Sequence, residues 1–389
     1  MNVYLDNAST TQPHYEVLNY AYECGNQYGN PSSIHFTGEK AAHIMNTARI
    51  IVSNSINAKP HEVIFCGSGS EANSLAIKGF CEANRHKGNH IITSAIEHTS
   101  VLETCKHLET QGFEVTYLSV DKNGAVNIEA LENAIRWNNA NAPQCETILI
   151  SLIFANNEVG TINKISEISE LTKCYGVTFH TDAVQAYPHI DIDASIADML
   201  TISSHKIHGI KGVGALYVRD GIELIPIIHG GGQEFGLRSG TENVSGIAGM
   251  GKAVEIMLAE REIDARNIRM LREMLVDGIR RNISDVIFNS PIDGKTKYID
   301  SIVNVSFLGV DGHELVTLLS ENGIMVSSGA ACNSREIKAS HVLLAMDIDE
   351  KTALSAIRFS LSKFTTQEDI WYTIATLCRI INDLRRFAF

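Results

Sequence analysis

The side chains able to do chemistry gather at the ends of short β-branched runs. Ser203-Ser204-His205-Lys206 follows one such run and precedes Gly209, Gly212 and Gly214. A lysine forced against apolar walls has a depressed pKa, and its free amine is a nucleophile suited to a carbonyl carbon. Gly67-Ser68-Gly69-Ser70-Glu71 follows a second run. Its glycines allow close backbone approach, and the helix behind them offers unpaired N–H groups to an anion such as a phosphate. It lacks the third glycine of a dinucleotide fingerprint and the lysine of a P-loop. Glu97-His98, Asn156-Asn157-Glu158 and Asp182-Ala183-Val184-Gln185 close three further runs. Singly, such residues are ordinary caps and turns. Together they bring an aromatic face, an amide, a carboxylate and a second amide to one crevice.

A phosphate cradle, a carboxylate, a stacking ring and a lysine able to form a Schiff base are the parts that pyridoxal 5′-phosphate requires, its pyridinium nitrogen needing an acidic partner. A metal is not expected: His205 with His208, or His86 with His90, have usable spacings but no thiolate or carboxylate complement. The run from Val326 to Ser334 is small, polar and glycine-containing, and reads as a mobile loop carrying one thiol, Cys332. With an ordinary pKa near 8.5, about 3% of that thiol is ionised at pH 7, and the thiolate is a strong nucleophile. In the alternating strand Ala356 to Leu361, Arg358 faces away from Ile357, Phe359 and Leu361. Its planar fork could pair a substrate carboxylate, the ordinary alternative being a solvated strand arginine.

The elements that must position these residues read as an α/β fold. Between about residues 60 and 220, strands at His61–Cys66, His90–Ser94, Phe113–Val120, Thr147–Phe154, Val177–His180, Met199–Ser203 and Val213–Val218 alternate with amphipathic helices such as Ser100–Thr110 and Ile165–Cys174, the pattern of a mostly parallel sheet covered by helices. A long proline-free helical run follows from Val244 to Asn282, and the later elements are shorter and mixed. Two units are expected: 15–254 as the large domain, and 1–14 with 255–389 as a smaller one. The length of 389 residues is enough for each to bury its own core. Eight cysteines without a C-x-x-C pair fit free thiols in a reducing compartment. With no signal-like N-terminus and no apolar run of spanning length, a cytoplasmic protein that does not enter membranes is expected. A net charge of −13 argues against nucleic acid as a partner.

In order, Tyr4 to Thr11, Gly29 to His35, Gly69-Ser70-Glu71, Glu97-His98, Asn156 to Glu158, Asp182 to Gln185, Ser203 to Lys206, His229 to Gly232, Arg238 to Thr241 and Ser327 to Cys332 make a series that resembles the cysteine desulfurases of the nitrogen-fixation and iron–sulfur type, nearly end to end. The resemblance implies a homodimer of the aspartate-aminotransferase-like fold (pyridoxal phosphate fold type I). It implies that Lys206 holds the cofactor, His98 stacks on its ring, Asp182 pairs the ring nitrogen and Gln185 bonds the phenolic oxygen. Gly69, Ser70, Ser203 and His205 would hold the phosphate, with Thr241 reaching in from the partner subunit. Asn157 and Arg358, with Asn30, would orient the substrate carboxylate. L-cysteine would become L-alanine, leaving a persulfide on Cys332 for an acceptor protein such as an iron–sulfur scaffold. Transamination or selenocysteine lysis on the same fold is the alternative, and Cys332 discriminates, since a transaminase has no need of the thiol. The sequence departs from its relatives at Phe235, where Arg is common, at Ala339, where Pro is frequent, and in stopping at Phe389 without a longer tail. By the resemblance, these departures are expected to bear on the partner surface rather than on the chemistry.

Overall fold

Seven strands build the sheet that carries the site, in the order Val63–Cys66, Gly214–Val218, Met199–Ser203, Thr178–Asp182, Thr147–Ile153, His90–Ser94 and Glu114–Leu118. Gly214–Val218 runs antiparallel to both neighbours, and the other pairs are parallel. The computed structural model describes residues 1–141, 146–328, 330–333 and 336–387, without the side chains of 139–141, 330–333, 336–337 and 387. Central strands such as Thr147–Ile153 are buried along their whole length, as expected of strands covered on both faces. Each strand expected from the sequence in this region is present to within a few residues. His61 and Glu62 belong instead to a short 3-10 turn, Pro60–Glu62, started by the fixed φ of the proline.

The covering helices end where their chemistry dictates. Thr99–Thr110 starts at His98, whose ring nitrogen accepts from the Ser100 amide, and it buries Val101, Cys105 and Leu108. Ile165–Tyr175 ends on Gly176 at φ 66°, a left-handed position that glycine occupies without strain.

A smaller antiparallel sheet contains Ser327–Ser328, Ala356–Ser360, Ile302–Phe307 and Val286–Phe288 in that order. Val3–Tyr4 pairs in parallel with Ile324–Met325, tying the start of the chain to this half. One apolar core, including Ile150, Phe179 and Ile202, lies against the large sheet, and another, including Val305, Leu319 and Phe359, against the small one. The helix Val244–Asn282 has 39 residues and enters both: Ile247, Met250 and Val254 pack in the first core, Leu271, Leu275 and Ile279 in the second. Residue 255, the division expected from the sequence, falls inside this continuous helix.

The stretch expected to be a loop around Cys332 is different. Ala330–Asn333 pairs antiparallel with Glu336–Ala339, with Cys332 opposite Ile337, so the backbone is a two-stranded ribbon. Small residues without period-two alternation gave no strand signal, and the pairing partner lies beyond the run that attracted attention. The Cys332 thiol itself lies outside the described residues. Among the described residues no group of three His, Cys, Asp or Glu side chains could hold a metal ion, and no helix is long and apolar enough to cross a membrane.

Candidate active site

The carboxyl ends of the parallel strands open on a cavity of about 330 Å³. Its wall contains Gly69, Ser70, His98, Asn157 and Asp182, and also Gln185, Ser203, His205, Lys206 and Arg358. Ten expected site residues therefore converge, nine brought by strand ends of the large sheet and the segments that follow them, and the tenth, Arg358, by the strand Ala356–Ser360 of the small sheet.

Lys206 closes the short turn Ser204–Lys206 after the strand Met199–Ser203. Its Nζ donates to the carbonyl of Ala8 and, at 2.9 Å, to that of Ser9. Burial, helped by the Arg358 cation, lowers its pKa to about 8, against the opposing pull of Asp182 and Asp6. His205 next to it is pushed down to about 4 by burial and by Lys206, and is neutral at ordinary pH. Gln185 donates its side-chain amide to the same Ala8 carbonyl at 2.8 Å.

Asp182, nearly fully buried, accepts from Asn73 Nδ2 at 2.7 Å and from the Val184 amide at 3.0 Å. Asn73 also donates to Ser100 Oγ at 2.9 Å, and Ser100 Oγ lies 2.8 Å from His98 Nδ1. The Ser100 amide donates to that same Nδ1 at 3.1 Å, which makes Nδ1 an acceptor and puts the ring proton on Nε2. Burial lowers the His98 pKa and keeps the ring neutral, as a stacking partner should be. Of the Glu97-His98 pair only His98 faces the cavity. Glu97 is fully buried, accepts from the Ile153 amide at 2.9 Å, and is raised to about 8 by burial.

The anion cradle is built at the helix start Gly69–Ser74, where Ser68 Oγ accepts from the Glu71 amide and the Gly69 and Ser70 amides have no intrahelical acceptor. A Cβ at Gly69 would stand 3.1 Å from Val184 Cγ2 and 3.4 Å from Ser203 Cβ, tight contacts that favour glycine. Ser203 Oγ is buried in the wall without a hydrogen-bond partner, the sign of a polar group waiting for a ligand atom. The fit to the phosphate end of pyridoxal 5′-phosphate is therefore good at the cradle, and the fit to its ring is good at Asp182 and His98.

Arg358 is 7% exposed and is not a solvated strand arginine. It lies on the interior strand Ala356–Ser360 and donates to the Asn157 carbonyl at 3.1 Å, to Asp6 Oδ1 at 2.9 Å and to Ser9 Oγ at 2.7 Å. Asn30 and Thr241 do not line the cavity of their own chain. Asn30 Oδ1 accepts from the Ser32 amide at 2.9 Å. Asn73, Ser100, Asp6 and Ser9 were missed as site residues. Asn73 carried a signal, a polar residue among Ala72, Leu75 and Ala76 on a buried helix face; the others carried none that spacing could reveal.

Residues 3–372 match the family described as aminotransferase class-V. The chain is 44% identical over 389 residues to cysteine desulfurase IscS of Clostridium botulinum, with 99% of this chain and 96% of that protein covered. Among solved structures, a NifS-like protein superposes with a TM-score of 0.90 at 36% identity, covering 98% of this chain and 100% of that one. SspA in complex with cysteine superposes with a TM-score of 0.81 at 36% identity, covering 94% and 100%. With that likeness running the length of a chain whose cavity fits pyridoxal 5′-phosphate, the chain belongs to the class-V aminotransferase family of pyridoxal-phosphate enzymes with fold type I and, within it, to the cysteine desulfurases.

Proposed function

We propose that the cavity converts L-cysteine to L-alanine and delivers the sulfur to Cys332 as a persulfide, for transfer to an acceptor protein such as an iron–sulfur scaffold. The observation that carries this reading is the convergence of Lys206, Asp182, His98 and the unpaired Ser203 hydroxyl in one cavity with Arg358. The cofactor would be held by Lys206, with His98 against its ring, Asp182 on its ring nitrogen and Gln185 on its phenolic oxygen. Gly69, Ser70, Ser203 and His205 would take the phosphate, completed by Thr241 of the partner subunit in a homodimer. Bound there, the cofactor supplies an electron sink that makes the substrate Cα–H acidic.

The chain's own residues do the rest. Arg358 and Asn157 orient the substrate carboxylate. The Lys206 amine, with its pKa near 8, takes and returns a proton at Nζ. The Cys332 thiolate attacks the substrate sulfur: one C–S bond breaks, one S–S bond forms, and the elements of L-alanine leave with the thiol proton. We place the enzyme in the cytoplasm and divide it into a cofactor-binding unit, 15–254, and a smaller unit, 1–14 with 255–389, a reading supported by the separate sheets and by an apolar core centred on each. Exposed Tyr22, Tyr28, Ile34 and Phe36 near the start of the chain support a subunit contact there.

Mass spectrometry after incubation with L-cysteine tests the reading. One added sulfur is expected on the peptide containing Cys332, and sulfur release that survives Cys332→Ser would remove this residue from the reaction.

A further inference from the structure

The turn Asn156-Asn157-Glu158 lies between the cavity and the Cys332 ribbon. Asn156 organises it: its Oδ1 accepts from the amides of Glu158 at 2.8 Å and Val159 at 3.0 Å, and its Nδ2 donates to the Ile96 carbonyl at 3.0 Å. Asn157 faces the cavity, and its carbonyl accepts from Arg358. The Glu158 carbonyl accepts from Asn304 at 3.2 Å, and its carboxylate accepts from the hydroxyl of Ser340. Ser340 directly follows the second ribbon strand, Glu336–Ala339. Its Oγ also accepts from the amides of Val342 and Leu343, capping the helix His341–Ala345. His341 donates Nε2 to the Glu97 carbonyl at 2.9 Å, beside His98. At the other end of the ribbon, Ser327 pairs with Arg358 itself. The segment carrying Cys332 is thus fastened on one side to Arg358, which lines the cavity, and on the other to Glu158 and Glu97, the chain neighbours of the lining residues Asn157 and His98.

We propose that Glu158 is a positioning residue for sulfur transfer: through Ser340 it sets where the Cys332 ribbon stands relative to a substrate held by Asn157 and Arg358. The inference rests on Cys332 being the sulfur acceptor. Glu158 touches none of the reacting atoms. A carboxylate suits the task because a hydrogen bond to an ionised acceptor is roughly twice as strong as a neutral one, and here the donor is a side chain already locked as a helix cap.

The test uses the cofactor-loaded enzyme and the variants Glu158→Ala, Glu158→Gln and Ser340→Ala. Single-turnover persulfide formation on Cys332 should fall about 10- to 100-fold in Glu158→Ala and Ser340→Ala, the range set by losing a hydrogen bond to a charged group, and should recover in part in Glu158→Gln. The visible absorbance of the bound cofactor and the exchange of the L-alanine Cα proton into deuterated water should be unchanged, because neither needs the ribbon. Persulfide formation at the wild-type rate in Glu158→Ala would overturn the proposal. So would a parallel loss of Cα exchange, which would place Glu158 in substrate binding. If Glu158→Ala does not fold, Ser340→Ala and Glu158→Gln decide by the same two measurements. A wild-type enzyme that gained no sulfur on Cys332 would instead refute the parent reading, so the two failures are separable.

Discussion

Asn73 places one side-chain nitrogen 2.7 Å from Asp182 Oδ2 and 2.9 Å from Ser100 Oγ, so a single buried amide orients the carboxylate and, one bond further on, the His98 ring. Removing it strips Asp182 of a side-chain donor in a buried setting. Asn73→Ala should lower kcat/KM about 10- to 100-fold, the size of a lost hydrogen bond to a charged group, and should speed loss of cofactor on dilution. Steady-state kinetics and the decay of bound-cofactor absorbance measure both.

Lys206 sets a pH dependence whose sign is fixed by its downward shift. With its pKa lowered from 10.5 to about 8, the amine is mostly neutral above pH 8 and protonated below. Recombination of cofactor-free protein with pyridoxal 5′-phosphate should accelerate about tenfold per pH unit below 8 and then level off. The unfolded chain keeps this proton up to about 10.5, so the stability of the cofactor-free protein gains a contribution as pH rises from 8 to 10.5. Lys206→Met should abolish both effects, read by stopped-flow absorbance and by denaturant melts across pH.

The Arg358 fork engages Asp6, Ser9 and the Asn157 carbonyl at once, a geometry that a lysine point charge cannot reproduce. Arg358→Lys should therefore raise KM for L-cysteine about 10-fold or more while cofactor absorbance stays intact. A KM equal to wild type would remove Arg358 from carboxylate recognition.

Away from the cavity, Arg49 and Glu234 form a bidentate buried pair at 2.6 and 2.7 Å, with Glu234 also accepting from the Phe65 amide at 2.8 Å. Glu234 sits at φ 47° and the exposed Phe235 after it at φ 59°, so the pair anchors a turn that neither residue adopts readily. Glu234→Ala leaves the Arg49 cation buried and unpaired and should cost about 3–5 kcal/mol of stability. Replacing both by apolar residues of similar volume should recover most of that, as a thermal melt would show.

The catalytic edge of the large sheet was legible because strand ends are local events: Cys66, Ser94 and Ser203 close their runs at the expected residues, and Ile153 and Asp182 close theirs one residue before and two residues beyond the expected ends. Val244–Asn282 was legible for the same reason. What escaped was long-range or very short. The Asp6–Arg358 pair joins residues 352 apart in sequence, and Val3–Tyr4 and Ile324–Met325 are two-residue strands with no period to detect. The Cys332 ribbon escaped because its small residues alternate in neither size nor polarity. The division at 255 has no marker in the chain because an uninterrupted helix serves both cores.

The opening residues supply two carbonyls to Lys206, from Ala8 and Ser9, and a carboxylate to Arg358, from Asp6. These contacts join groups 198 and 197 residues apart at Lys206 and 352 apart at Arg358, so the catalytic centre is complete only once both long loops have closed. Such distant closure is entropically slow, and competence for chemistry should lag behind the appearance of secondary structure during refolding.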